Sequence, residues 1–208
     1  MLEQHLMRQF LLLVFALLVP AFMLWTVVAP LIAIPAIGFV NIVMPVWYPD
    51  IVNSVLVDNY HAVLMTEFGE HNGQPVPAAQ SEYRLGFELD TRILSYSLPF
   101  YTALHFATPK SDYLGTYIAG LLVLYPLIVI GVVALCLREL MFALGPLFLE
   151  QPDASVPNAE IIGLVYQFSV LIVPTLAPCC IWLWQSRDSA LLAGVKARLE
   201  KAAAKASG

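Results

Sequence analysis

Charge is scarce in this chain. Of its 208 residues only 12% are charged while 60% are hydrophobic, whereas soluble domains carry about 25% charged residues. That much apolar surface has no aqueous home, which excludes a soluble domain and makes lipid the solvent. Lys and Arg number 10 against 15 Asp and Glu, and no basic stripe lies outside the C-terminal tail. Nucleic acid is therefore not an expected partner, because phosphate binding needs such a stripe. Cysteine is equally sparse. Cys136, Cys179 and Cys180 all lie in apolar runs, without the paired spacing of a zinc site or a disulfide framework. There is no phosphate-cradling loop, no dinucleotide-binding glycine pattern and no metal-spaced His/Glu set. Transport lacks support too, since no acidic residue falls at mid-membrane and the halves do not repeat. No catalytic, cofactor or metal site is expected.

What the chain has instead is long apolar runs. The first extends from Arg8 to Trp47, longer than the ~20 residues that one helix needs to cross ~30 Å of hydrocarbon. Pro20, Pro30, Pro35 and Pro45 punctuate it, and each removes a backbone donor. The expected reading is an uncleaved span at residues 9–31. An interfacial or re-entrant helix then follows at 32–49, ending in the aromatic interface residues Trp47 and Tyr48. Two further spans are plain, Tyr113 to Leu137 and Ile161 to Gln185. A short uncharged run at 93–108, with Pro99 inside it and His105 near its end, is the fourth candidate.

Charge placement decides between three and four crossings. Short cytoplasmic segments carry the excess of Lys and Arg, and Arg187, Lys196, Arg198, Lys201 and Lys205 all follow the last span. Arg8 also asks for an inside N-terminus. Two inside ends need an even number of crossings, so residues 93–108 are expected to cross. Inside segments then hold seven basic residues against four acids, and outside segments three against eleven. The expected fold is an α-helical polytopic membrane protein of about four helices, with a small extracytoplasmic β-hairpin. An irregular outer loop is expected at 138–160. The basic tail at 187–208 should be a cytoplasmic helix, its lysines serving either to fix topology or to meet anionic lipid headgroups.

Between the first two spans, residues 50–92 turn polar and alternate in the manner of strands. One extended stretch covers Val55 to Glu67 and a second Tyr83 to Leu89. Gly69 to Gln80 reads as a long hairpin connection. Two strands alone are marginal, so this hairpin needs support from the interfacial helix, the later outer loop or a partner chain.

One enzymatic alternative exists. Cys136 and Arg138 near the outer end of the third span, with His61 or His71 in the same compartment, are the groups of a membrane cysteine peptidase or transpeptidase. A free cysteine in an apolar helix more often behaves as a small hydrophobe. Gln167 in the fourth span is suited to bond across a helix interface, and His105 is an intramembrane ionisable group.

Three stretches together resemble the exosortase H-associated membrane proteins: LWTVVAPLIAIPAIGFVNIVMPVWYPDIV, FELDTRILSYSLPFYTALHFATP and YQFSVLIVPTLAPCCIWLWQSR. The likeness covers most of the chain and rests on the order of Tyr96, Pro99, Tyr166, Gln167, Pro174, Pro178 and Trp182. Ser97 and Ser169 stand where this pattern leads one to expect glycine. The resemblance implies a small bacterial inner-membrane protein beside the exosortase that handles substrates with a short C-terminal sorting signal. The Cys, Arg and His machinery would belong to that other chain. It also implies Arg92, Tyr96, Pro99, Tyr166, Gln167, Pro174, Pro178 and Trp182 as candidate contacts with an integral-membrane partner. A non-enzymatic accessory or stabilising subunit is thus the leading expectation. A small subunit of some other large membrane assembly is the remaining one.

Overall fold

The computed structural model describes residues 2–151, 155–189 and 191–195. Three helices among them are long and apolar enough to cross a membrane. The first lies within α1 (Leu2–Trp47) and the second is α4 (Tyr113–Leu144). The third joins α6 (Ala159–Gln167), a π-helical turn at Phe168–Ile172 and α7 (Val173–Ser186). Their outward faces carry large exposed apolar side chains, among them Val27, Leu31, Ile42, Leu122, Leu164 and Leu171. A surface of that kind is stable against lipid and not against water.

Helical backbone continues from Leu2 to Trp47 without a break. Residues 32–47, expected as a separate interfacial or re-entrant helix, therefore extend the first one to a total of about 69 Å. Proline removes one donor per occurrence but leaves the neighbouring ladder intact. In an apolar environment, opening the helix further would strand more backbone groups than it relieved. Side chains help locally: the Thr26 hydroxyl donates to the Met23 carbonyl at 2.7 Å, in the turn that Pro30 deprives of a donor.

The short run at 93–108 forms two helices, α2 (Arg92–Ser95) and α3 (Ser97–Ala107). Pro99 is the cause of the interruption. It cannot donate to the carbonyl four residues earlier, and its ring crowds that turn. Tyr96 between them keeps right-handed helical dihedrals, so helical turns run over 16 residues, about 24 Å. α3 alone, with 11 residues, spans only about 16 Å of a ~30 Å core.

The polar segment after α1 is a four-stranded antiparallel sheet, not a two-stranded hairpin. Its strands are β1 (Val52–Asp58), β2 (His61–His71), β3 (Gln74–Pro77) and β4 (Arg84–Asp90). β2 is central, with β1 and β3 along one edge and β4 along the other. The stretch expected as one strand from Val55 to Glu67 folds back on itself at Asn59 and Tyr60, so that Asp58 faces His61. Asn59 takes φ 58°, a left-handed conformation that asparagine tolerates better than most residues. Asn72 and Gly73 make a second tight turn with φ 53° and 77°. Positive φ at both central residues is what Asn-Gly favours in a two-residue hairpin. Gly69 to Gln80 is therefore largely strand, where a long connection was expected. The end of α1 supports this sheet from within the chain: Asn41 Oδ1 accepts from the Val55 amide at 2.7 Å, and the Val52 amide donates to the Tyr48 carbonyl at 2.8 Å.

Helix α4 continues to Leu144, seven residues into the expected outer loop, because nothing breaks a helix before Gly145 and Pro146. A short helix α5 (Pro146–Leu149) follows, and the Asn158 side chain caps α6 by accepting from the Ile161 amide at 2.8 Å. Of the predicted tail helix, residues 191–195 are helical, and residues 190 and 196–208 lie outside the described residues.

The described residues fall into two compact units. One takes in residues up to Thr26, Tyr96–Leu124 and those from Thr175 on. Phe10, Val14, Leu104 and Ala107 form one buried cluster there, and Tyr101, Leu124 and Ile181 another. The other unit takes in Val27–Ser95 and Tyr125–Pro174. Its buried residues include a stripe on α1, Ala33, Ala36, Ile37, Val40 and Met44, and the sheet residues Val52, Val55, Ala62 and Leu64.

Candidate functional site

Gln167 closes α6 with its side chain exposed, amid the exposed apolar side chains of Leu164, Val165, Phe168 and Leu171. It has no side-chain hydrogen bond among the described residues. An unsatisfied carboxamide facing hydrocarbon is costly unless another helix meets it. The backbone is unusual at the same place. Pro174 cannot donate to Val170, and the preceding turn widens so that the Val173 amide reaches the Phe168 carbonyl. Such π turns interrupt α-helices chiefly near prolines and at functional sites.

Beside Gln167, Tyr166 is partly buried, and the Arg138 guanidinium lies over its ring at 4.9 Å and over that of Phe142 at 4.8 Å. Arg138 also reaches the Glu139 carboxylate at 3.3 Å. Cation–π contacts are strongest where water is excluded, so the aromatic pair lets this cation lie along an otherwise apolar face. Cys136, two residues earlier, is fully buried. Residues two apart on a helix point about 200° away from each other, and these two do not share a face. His61 is engaged in the sheet, 2.7 Å from Glu88 and with its ring tilted against that of Tyr60 at 4.4 Å.

Arg92 lies at the junction of β4 and α2. Its guanidinium forms a two-pronged pair with Asp90, with Nε at 3.0 Å and an Nη at 2.7 Å, and its amide also donates to that carboxylate. The cation lies 3.8 Å from the centre of the Tyr60 ring. Burial raises the Asp90 pKa, but the Arg92 hydrogen bonds and charge outweigh it and hold the carboxyl below its ordinary value.

The remaining candidates are more internal. Tyr96 is half-buried, Pro99, Pro174 and Pro178 are buried, and Ser97 and Ser169 are buried small residues. Trp182 stacks on Phe10 at 5.2 Å and donates from Nε1 to the Thr108 hydroxyl at 2.7 Å. Of the eight candidate contacts, only Gln167 is exposed.

A second polar cluster is centred on His105, which is fully buried in α3. Its Nε2 lies 2.9 Å from the Tyr113 carbonyl, a contact that requires the proton on Nε2. Nδ1 is then an acceptor for Lys110 Nζ at 3.2 Å, and the Tyr101 oxygen lies 3.3 Å from it. Gln185 completes the cluster: its Oε1 accepts from Tyr101 at 2.9 Å and from Lys110 at 3.3 Å, and its Nε2 donates to the Thr116 carbonyl at 2.7 Å. Thr102 and Tyr117 share a further hydroxyl bond at 2.8 Å. His105 was visible in the sequence, but its partners were not. The one available signal was the recurrence of Tyr, Thr and Gln in otherwise apolar helices.

Comparison with known proteins adds one finding. A family model described as exosortase H-associated membrane protein matches residues 4–189. No curated protein and no solved structure matches the chain.

Proposed function

The chain belongs to the exosortase H-associated membrane protein family, and on that premise we propose that it is a non-enzymatic accessory subunit of a bacterial inner-membrane sorting complex, held against an exosortase through helix contacts in the bilayer. The observation that carries this reading is the exposed Gln167 at the π turn of a membrane-crossing helix. Its carboxamide lacks a partner in the described chain and lies on a lipid-facing surface, where a second helix would satisfy it. Close by in sequence, Tyr166 carries the Arg138 guanidinium over its ring, a cation that a partner's acidic or carbonyl group could also meet.

The proposal includes the topology. The termini are cytoplasmic, residues 50–92 are periplasmic, and the α2–α3 segment makes a short fourth crossing. The charge distribution supports that arrangement, and local thinning of the bilayer accommodates a short helix at modest cost. Cys136 is buried and does not share the face of Arg138, which supports the non-enzymatic reading over a cysteine peptidase. Cys136→Ala is accordingly expected to leave processing of sorted substrates unchanged in cells.

The test is affinity capture of the full chain from native membranes in a mild detergent, with identification of co-purifying proteins. An exosortase is expected with the wild type. Its recovery is expected to fall roughly three- to tenfold with Gln167→Leu, which removes one interhelical hydrogen bond. Recovery of the chain alone would sink the subunit reading. Equal recovery with Gln167→Leu would retain the partner and discard this face as the contact.

A further inference from the structure

Within the unit that contains His105, two cavities adjoin. One is polar, about 250 Å³, and lined by Lys110, Asp112, Thr116, Gln185, Ser186 and Asp188, together with Pro109 and Ser189. The other is a mostly apolar groove of about 180 Å³, formed by Leu6, Phe10, Leu13, Ala107 and Leu191 with Gln9, and sharing Pro109 and Ser189 with the first. A polar and an apolar compartment that share a wall suit a ligand with a charged head and a hydrocarbon tail.

The polar side contains groups that point to such a ligand. Ser186 is only 2% exposed, yet its buried hydroxyl has no hydrogen-bond partner among the described residues. Lys110 has no carboxylate within ion-pair distance among them and bonds only to the neutral His105 and Gln185. Both groups call for an anionic oxygen. Two carboxylates also face the pocket. Asp112 caps α4 through the Gly115 amide at 2.9 Å, and Asp188 is 91% exposed with a loose 3.4 Å contact to Arg187. A simple anion would meet these acids, and a simple cation would meet Lys110. A zwitterion satisfies both signs.

The surroundings place the ligand in a membrane. Leu13, which lines the groove, is 49% exposed, and Leu11, Leu114, Leu183 and Trp184 are exposed as well. Exposed Tyr113 and Trp184 are the residue types that collect at the headgroup level of a bilayer. We infer that this pair of cavities binds an aminophospholipid, its phosphate on Lys110 and Ser186, its primary amine toward Asp188 and Asp112, and part of an acyl chain along Phe10, Leu13 and Leu191.

The test uses the full chain, purified in mild detergent and stripped of lipid, with thermal unfolding followed as lipid is added. Dioleoyl-phosphatidylethanolamine is expected to raise the midpoint, while dioleoyl-phosphatidylglycerol and the tail-less glycerophosphoethanolamine do so only at much higher concentration. Lys110→Met should weaken the phosphatidylethanolamine response by about tenfold, the scale of one lost charge-assisted bond. Asp188→Asn, at a side chain that is 91% exposed, should erase the preference for the amine headgroup. Equal responses to both phospholipids would overturn the assignment, as would an equal response to glycerophosphoethanolamine or to inorganic phosphate, or unchanged binding in both variants.

Discussion

A Cβ added at Gly120 would collide with the Tyr101 hydroxyl and ring, so the absence of a side chain on α4 is what lets Tyr101 reach Gln185 and the Thr116 carbonyl. Gly120→Ala is expected to destabilise the protein. The collision costs about 1–3 kcal/mol, of which alanine's better helix preference returns roughly 1. The check is the unfolding midpoint in detergent. Tyr101→Phe should lower it too, and the two changes should be non-additive, because Gly120→Ala already displaces the hydroxyl that Tyr101→Phe removes. Additive losses would show that Gly120 matters for another reason. This cluster was not legible in the sequence. His105 stood out as an ionisable group in an apolar run, but Tyr101 and Gln185 are 84 positions apart, and no local period connects them.

At the scale of elements, long apolar runs announced the three spanning helices, and proline positions misled on one of them. Pro20, Pro30, Pro35 and Pro45 suggested breaks because proline is judged by its cost in water, whereas in an apolar surround the rest of the ladder resists opening. Pro99 and Pro174 do interrupt their helices, the first as a break at Tyr96 and the second as a π turn. The sheet was half legible. Alternation identified strand character, but it runs through Asp58 to His61 without a change of period, so the turn there was hidden. Asn72-Gly73 was the readable signal, and it marks the β2–β3 turn. Gly73→Val should destabilise that hairpin selectively, since a β-branched residue at φ 77° is strained, by an amount on the order of 1–3 kcal/mol. Hydrogen exchange should then speed up at the Gln74 and Val76 amides and at Phe68–His71 while Val52–Asp58 stays protected. Uniform loss of protection would mean that the sheet unfolds as one piece.

For the whole molecule, the decisive question is how many times the chain crosses. Single cysteines introduced at Asn72 and at Ser111, in a variant with Cys136, Cys179 and Cys180 replaced, should be labelled from opposite sides of the membrane by an impermeant thiol reagent. The Asn72 position should react from the periplasm and the Ser111 position only after the cells are opened. Labelling of both from one side would remove the fourth crossing, and the cytoplasmic placement of Lys110 with it. Family membership and the membrane-crossing helices could be read from residue order and composition alone. The division into two compact units could not, because each gathers segments that lie far apart in the chain, Ser95 and Tyr125 in one and Thr26 and Tyr96 in the other.

The central position of β2 affects how the chain is made. β1 can zip onto one edge of β2 once His71 has left the ribosome, but the other edge remains open until β4 is complete at Asp90. Those nineteen residues take about 1–4 s at ordinary translation speeds. During that interval a half-closed sheet offers unpaired amides and carbonyls to any extended segment nearby. The vulnerable species is thus a nascent one, and truncations that end between β2 and β4 are the forms most exposed to mispairing.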